Sequence, residues 1–294
     1  MLTCAAATGD RLGEGPVWLP NEHALRWVDI EGRRWHAMDV ETGALETIEL
    51  DRRLTAFAPI EGTDPIRFIA AFDAGLAICD GRGSVDRWLH TPEADRTTNR
   101  FNDGGADAAG RFLAGTMNEH DAAPTGSLYV LDARAELRTL RTGLGIANTI
   151  AFSPDGRTLY TADSATSDLA AFRYDPDTGT LGERIESFRP SPDLPGVPDG
   201  SAMDAEGYLW NARWDGRRVL RLAPDGSLDR ELELPVSRPT SCAFVGSKLY
   251  ITTAIADLTP EQLRDEPQAG SLFVADVGVE GVPRPPVARD VAGL

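Results

Sequence analysis

The chain has 294 residues, 41% hydrophobic and 26% charged, with a formal net charge of −17. The acidic balance argues against nucleic acid or an anionic membrane as a partner. No apolar run approaches the roughly 20 residues of a membrane span, and the first seven residues lack the basic region and apolar length of a secretory signal. We therefore expect a cytoplasmic protein.

Short strand segments follow one another along the chain, and turns of Gly, Pro, Asp or Asn separate them. The predicted hairpin pairs are 24–30 with 35–40, 158–162 with 169–174, 209–212 with 218–222, and 249–253 with 271–275. One helical turn is predicted at 258–264, with Thr259 as N-cap and Pro260 at the first helical position. Three scattered cysteines, Cys4, Cys79 and Cys242, predict neither a disulfide framework nor a metal site.

Polar residues recur at one register of an internal repeat of roughly 40–50 residues. Each precedes a short apolar step, a turn and another strand; the four residues are Glu14, Asn102, Asn148 and Asp199. The pattern predicts an all-β fold, a six-bladed β-propeller formed by residues 1–294 as a single domain. The blades are expected to start near Gly15, Ala56, Gly105, Ala151, Ala202 and Ala243. The second blade offers no clear axial residue.

Equivalent positions in a propeller face its axis, so the four residues are expected to meet in a central metal site. Two carboxylates and two amides suit a hard cation. Read alone, each residue is an ordinary turn or loop residue, and the shared register favours the site. The histidines His23, His36 and His90 lack ligand spacing and are expected at the surface or the blade rims.

The ordered motifs resemble the SMP-30/gluconolactonase/regucalcin-like family. They cover nearly the whole chain; the segments are 12–18, 100–104, 114–117, 153–160, 198–200 and 238–244. The resemblance implies a six-bladed propeller that holds one divalent cation and hydrolyses sugar lactones.

The family's metal ligands map onto Glu14, Asn148 and Asp199, and its substrate-binding residues map onto Arg100 and Asn102. The cation could be Ca²⁺, Mg²⁺, Mn²⁺, Zn²⁺ or Fe²⁺. Two departures from the family are visible. The usual Ser-Asn-Gly is here Ala147-Asn148-Thr149, and a pair of acids that touches the sugar in some relatives is here Glu119-His120.

The leading hypothesis is metal-dependent hydrolysis of an aldonolactone, with Asp199 as general base and Arg100 on the lactone carbonyl or ring hydroxyls. Asn102, Glu119 and His120 complete the expected substrate contacts. A lactonase or phosphotriesterase of broader scope and a non-enzymatic calcium-binding propeller are the alternatives. The sequence does not distinguish a monomer from a dimer.

Overall fold

The computed structural model describes residues 1–293, which form six four-stranded antiparallel sheets, one short α-helix and two 3₁₀ turns, Pro20–Glu22 and Ser164–Thr166. These sheets are the blades of a six-bladed β-propeller, as the sequence predicts. Within residues 1–293, no helix is long and apolar enough to cross a membrane.

The chain divides into two compact units. Unit 1 comprises Met1–Arg53 and Ser187–Pro283 and contains blades one, five and six. Blade one consists of β2 (Gly13–Leu19), β3 (Ala24–Asp29), β4 (Arg34–Asp39) and β5 (Leu45–Glu49). Blade five consists of β18 (Val197–Met203), β19 (Leu209–Trp214), β20 (Arg218–Leu222) and β21 (Leu228–Glu233). Blade six consists of β22 (Pro239–Val245), β23 (Lys248–Thr253), β24 (Leu272–Asp276) and β1 (Leu2–Ala6).

Unit 2 comprises Leu54–Glu186 and residues 284–293 and contains blades two, three and four. Blade two consists of β6 (Leu54–Pro59), β7 (Arg67–Phe72), β8 (Leu76–Asp80) and β9 (Val85–His90). Blade three consists of β10 (Asn99–Ala106), β11 (Phe112–Asn118), β12 (Gly126–Leu131) and β13 (Leu137–Leu144). Blade four consists of β14 (Ala147–Phe152), β15 (Thr158–Asp163), β16 (Asp168–Asp175) and β17 (Thr180–Arg184).

The outermost strand of each blade is more exposed than its innermost strand. In blade one, β2 is buried on both faces, whereas β5 (Leu45–Glu49) buries only Ile48. In blade five, β18 is likewise almost wholly buried and β21 is mostly exposed. Polar side chains on strands that are buried on both faces are unusual, which makes them candidates for a functional site.

Every innermost strand carries one residue more than its neighbouring strand can pair. The register shifts lie at Glu14/Val17, Leu54/Ala56, Phe101/Gly104, Asn148/Ala151, Pro198/Ser201 and Pro239/Ser241. Such β-bulges redirect a side chain out of the normal alternation. All four polar residues of the predicted register lie at these bulges.

The turn after the bulge is held by an aspartate in blades three and five. In blade three, Oδ1 of Asp107 accepts from the amides of Ala109 and Arg111. Its Oδ2 accepts from Nη1 of Arg111 at 2.8 Å and from the Tyr174 hydroxyl at 2.7 Å. Burial and the Asp107 charge raise the pKa of Tyr174. In blade five, Asp204 accepts in the same way from Trp210 Nε1. These aspartates therefore link the turn to the packed strands.

The predicted hairpin pairs are confirmed, with ends that differ by one or two residues. The helix is also confirmed as α1 (Pro260–Asp265), where Oγ1 of Thr259 accepts from the Gln262 amide and Oε1 of Gln262 accepts from the Thr259 amide. Cys79 and Cys242 are buried, and Cys4 is partly buried.

The prediction for His36 was wrong, because this residue is buried rather than at a surface or rim. Its Nε2 lies 2.9 Å from Oδ1 of Asp10, and its Nδ1 lies 2.9 Å from Oγ1 of Thr47. Asp10 also accepts from Trp27 Nε1, whose ring stacks on the imidazole. The sequence spacing gave no sign of these partners, since Asp10 belongs to the segment that leads into β2.

Replacing Tyr174 by Phe should lower the free energy of unfolding by about 1–3 kcal/mol, because Asp107 loses a buried donor. Urea denaturation would measure the change. Tyr250→Phe is the matched control, since the Tyr250 hydroxyl bonds to no residue within the described part of the chain and its loss should cost less than about 0.5 kcal/mol. Equal losses in the two variants would contradict the assigned role of the Asp107 contact.

Candidate functional site

Blade three brings Arg100, Asn102 and Glu119 into one hydrogen-bonded cluster. Nε of Arg100 donates to Oε1 of Glu119 at 2.8 Å, and its Nη1 donates to Oδ1 of Asn102 at 2.8 Å and to O of Phe101 at 2.9 Å. Nδ2 of Asn102 donates to O of Ala147 at 3.0 Å. The Arg100 side chain is 6% exposed, so these partners rather than solvent fix the orientation of its guanidinium.

Asp103 ties the bulge of blade three to that of blade four. Its Oδ1 accepts from the Gly104 amide at 2.7 Å, and its Oδ2 accepts from the Ile150 amide at 3.1 Å. Burial raises the pKa of Asp103, although the charge of Arg284 and the hydrogen bonds of backbone amides oppose the rise. The carboxyl group therefore binds backbone amides of both bulges, including the one next to Asn148.

Asn148 is oriented from both ends of its amide group. Its Nδ2 donates to Oγ of Ser164 at 3.3 Å, and its Oδ1 accepts from the Thr149 amide at 3.2 Å. Thr149 has φ 54°, a left-handed conformation that a β-branched residue rarely adopts. This conformation accounts for the glycine that the family resemblance leads one to expect there, and it makes Thr149 a locally strained residue in this chain.

Glu14 and Asp199 each accept a hydrogen bond from the next residue in the chain. Oε2 of Glu14 accepts from the Gly15 amide at 2.9 Å, and Gly15 has φ 52°. Oδ1 of Asp199 accepts from the Gly200 amide at 3.0 Å. Both carboxylates are buried, at 8% and 6% exposure. Burying a carboxylate carries a desolvation cost, so these two positions differ from ordinary exposed turns.

Arg213, on the strand beside Asp199, is a residue that the sequence reasoning missed. It is 4% exposed, and it donates from Nε to O of Pro195 at 2.9 Å, from Nη2 to O of Gly196 at 2.8 Å, and from Nη1 to Oδ1 of Asn211 at 3.1 Å. Burial lowers the pKa of Arg213 to about 10, while the charge of Asp199 opposes that change. Its position two residues after Asn211 places both polar side chains on one face of an otherwise apolar strand, which was the available signal.

His120 does not join the Arg100 cluster. The residue is exposed, its amide donates to Oδ1 of Asn118 at 2.9 Å, and its imidazole forms no hydrogen bond or ion pair with any described residue. Trp214 is half-buried, and the guanidinium of Arg238 lies 4.6 Å from the centre of its ring.

Blades two and six carry threonines at their bulges. In blade two, for which the sequence predicted no axial residue, Thr55 occupies the bulge position. Oγ1 of Thr55 donates to O of Ala71, and Oγ1 of Thr240 donates to O of Gly13. Both hydroxyls thus bond to neighbouring backbone. The shared Arg-Xaa-Thr at 53–55 and 238–240 was the signal in the sequence.

The family model described as "SMP-30/Gluconolactonase/LRE-like region" matches residues 12–255. This chain belongs to the SMP-30/gluconolactonase/LRE-like family.

Relatives of this family resemble the chain along almost its full length. The chain is 35% identical to a 6-deoxy-6-sulfogluconolactonase of Pseudomonas putida, over 97% of this chain and 97% of that protein. It is 35% identical to a pentonolactonase of Haloferax volcanii, over 99% and 98%. A crystal structure of a calcium-binding protein, regucalcin, from Agrobacterium tumefaciens matches with a TM-score of 0.88 and 31% identity, over 97% of this chain and 96% of that one.

Replacing Gly200 by Ala should disturb the bulge that carries Asp199, because a Cβ at residue 200 would lie 2.2 Å from Oγ and 2.6 Å from Cβ of Ser241. We expect the free energy of unfolding to fall by about 1–3 kcal/mol, as measured by chemical denaturation. In the control Gly105→Ala, the nearest atom would lie 3.5 Å away, so stability should not fall. An unchanged stability of Gly200→Ala would show that the two strands separate at no cost.

Proposed function

We propose that this protein hydrolyses a sugar lactone to its aldonic acid with one divalent cation held by Glu14, Asn148 and Asp199. The observation that carries the proposal is the placement of these three oxygen donors at the bulges of blades one, four and five. Membership of the family and the full-length similarity to two sugar lactonases support it.

The donor set fits a divalent cation by its chemistry. Two carboxylates and one amide oxygen are hard ligands, which suit Ca²⁺, Mg²⁺ or Mn²⁺ and also accept Zn²⁺ or Fe²⁺. The hydrogen bond from Asn148 Nδ2 to Ser164 sets the amide so that its carbonyl oxygen lies on the side of the bulge. The proposed set combines the Asn148 amide with two carboxylates; among residues 1–293, no group of three or more His, Cys, Asp or Glu side chains could hold a metal.

A lactone is a cyclic ester, and its hydrolysis needs a polarised carbonyl, an attacking water and stabilisation of the tetrahedral oxygen. A divalent cation, when bound, acts as a Lewis acid and lowers the pKa of a nearby water. Asp199 is the proposed base, which takes the proton from the attacking water. Arg100 donates its remaining N–H groups to the lactone carbonyl oxygen or to ring hydroxyls, and Glu119 and Asn102 hold it in place.

The polar character of the Arg100 cluster favours a sugar over an apolar ester. Asn102 and Glu119 combine donors and acceptors at one place, as hydroxyl recognition requires. An apolar mouth would instead suit acyl lactones or phosphotriesters. A lactonase or phosphotriesterase of broader scope is therefore the less favoured enzymatic alternative.

A non-enzymatic calcium-binding propeller is the second candidate. The observation in its favour is the similarity to the Agrobacterium tumefaciens protein described as a calcium-binding protein. Fold alone does not decide between these roles, because propellers serve many functions. Acid release from a lactone in a pH-stat, with and without chelator, separates them.

We expect Glu14→Gln, Asn148→Ala and Asp199→Asn each to lower kcat/KM on the order of 100-fold, about 2.7 kcal/mol, and to lower metal content. The reason is the loss of one ligand from a three-residue set. Metal content of purified protein and initial rates on glucono-lactone would measure both effects.

Two controls accompany these variants. Arg100→Ala should keep the metal and lose mainly kcat, because its contact strengthens in the transition state. Glu22→Gln removes a blade-one acid that pairs with Arg26 and should change neither quantity. Undiminished metal binding in two of the three ligand variants would refute the proposed set.

The sugar itself is expected to lack an extended exocyclic tail. Where some relatives have a second acid, His120 offers an imidazole, which can bond one hydroxyl but cannot chelate two as a carboxylate does. We expect pentonolactones to be preferred over glucono-lactone, and His120→Glu to shift the ratio of specificity constants toward the hexose. The measurement is that ratio for xylono- against glucono-lactone in both proteins at one pH. Identical ratios would show that His120 does not contact the sugar.

A further inference from the structure

The segment before Asp199 is short of backbone hydrogen-bond donors. It contains Pro190, Pro192, Pro195 and Pro198, which have no N–H group. Pro195 and Gly196 precede β18, so their carbonyl groups lie outside its ladder with β19 and need other donors. Arg213 supplies two of them, to the oxygens of Pro195 and Gly196.

A second contact of Arg213 leads to the bulge itself. Its Nη1 donates to Oδ1 of Asn211, whose Nδ2 donates to O of Asp199 at 2.9 Å and to Oγ of Ser201 at 2.9 Å. Asn211 thus holds both sides of the bulge between Pro198 and Ser201. Arg213 also fixes the orientation of the Asn211 amide. One guanidinium thus orients the chain before Asp199 directly and the backbone of the bulge through Asn211.

The packing around this guanidinium leaves little room for another arrangement. A Cβ at Gly196 would lie 2.3 Å from O of Trp214, and a Cβ at Gly216 would lie 2.7 Å from Cβ of Arg213. Gly196 has φ 64°, which favours glycine. The segment before Asp199 and the strand end after Arg213 are therefore in close backbone contact.

A buried arginine that donates to no carboxylate is an unfavourable choice for stability alone. All three acceptors of Arg213 within residues 1–293 are carbonyl or amide oxygens. In the same blade, the equally buried Arg221 shows the ordinary alternative, because it pairs with Asp204, Glu206 and Asp229. The contrast points to a geometric role for Arg213 in addition to its charge interaction with Asp199.

We propose that Arg213 is a positioning residue for Asp199, acting through Asn211 and through the carbonyl groups of Pro195 and Gly196. This inference rests on the proposed role of Asp199 as metal ligand and base. The planar fork reaches three acceptors at once, which a lysine ammonium cannot do. Lysine at this position keeps the charge and loses the geometry, whereas methionine loses both.

The test compares Arg213→Lys and Arg213→Met with the control Arg221→Met. Calorimetric titration with Mn²⁺ should show at least about a tenfold rise in Kd for both Arg213 variants, with a lower kcat on the lactone, by analogy with supporting residues around metal ligands. Arg221→Met should lower Tm and leave the Mn²⁺ Kd within about twofold. A normal Kd in Arg213→Lys beside a raised one in Arg213→Met would show that charge acts alone, and the positioning role would be wrong.

Hydrogen–deuterium exchange without metal provides a measurement independent of activity. Exchange in the peptide 194–203 should increase in both Arg213 variants and in Asn211→Leu, and the double variant Arg213→Met/Asn211→Leu should exceed neither single variant. Arg221→Met should leave this peptide unchanged. Unaltered exchange in the Arg213 variants would overturn the inference. A wild-type protein that neither binds Mn²⁺ nor hydrolyses lactones would overturn only the proposed function. The exchange experiment would still test whether Arg213 holds the bulge.

Discussion

The placement of polar side chains in this protein depends on one extra residue in the innermost strand of each blade. A strand paired residue by residue alternates its side chains between two faces, and both faces of these strands are packed. The bulge interrupts the alternation at a single place. A carboxylate or amide can therefore leave the apolar packing while the rest of the strand keeps its ladder.

The same extra residue removes backbone amides from the ladder, and buried amides need acceptors. The polar side chains at the bulges supply them: Glu14, Asp103, Asn148 and Asp199 each accept from the following amide. Glu14, Asn148 and Asp199, which are proposed to bind the cation, thus also accept hydrogen bonds from the backbone amides next to them. Any substitution there acts on folding and on the site together, which is why comparison with near-isosteric variants is informative.

Local patterns were sufficient for the strand pairs and for α1, because turn residues and the Thr259-Pro260 cap are short-range signals. The family motifs identified the fold. The bulges were not predicted, since one added residue barely alters an apolar run. The prediction for His36 was wrong, and Arg213 was missed, for a different reason. Their burial depends on Asp10 and on carbonyl groups of a preceding segment, and sequence spacing carries no information about such partners.

The first strand of the chain is the outermost strand of blade six, where Leu2–Ala6 pairs with β24. During synthesis β1 therefore emerges long before its partner. At ordinary translation rates the delay is about 10–50 s. Throughout that time an apolar strand lacks its neighbour and can pair with other nascent chains, as unprotected edges do. A tag or truncation near Leu2 would consequently affect blade six. The effect would be measured as a change in how strongly expression depends on chaperones.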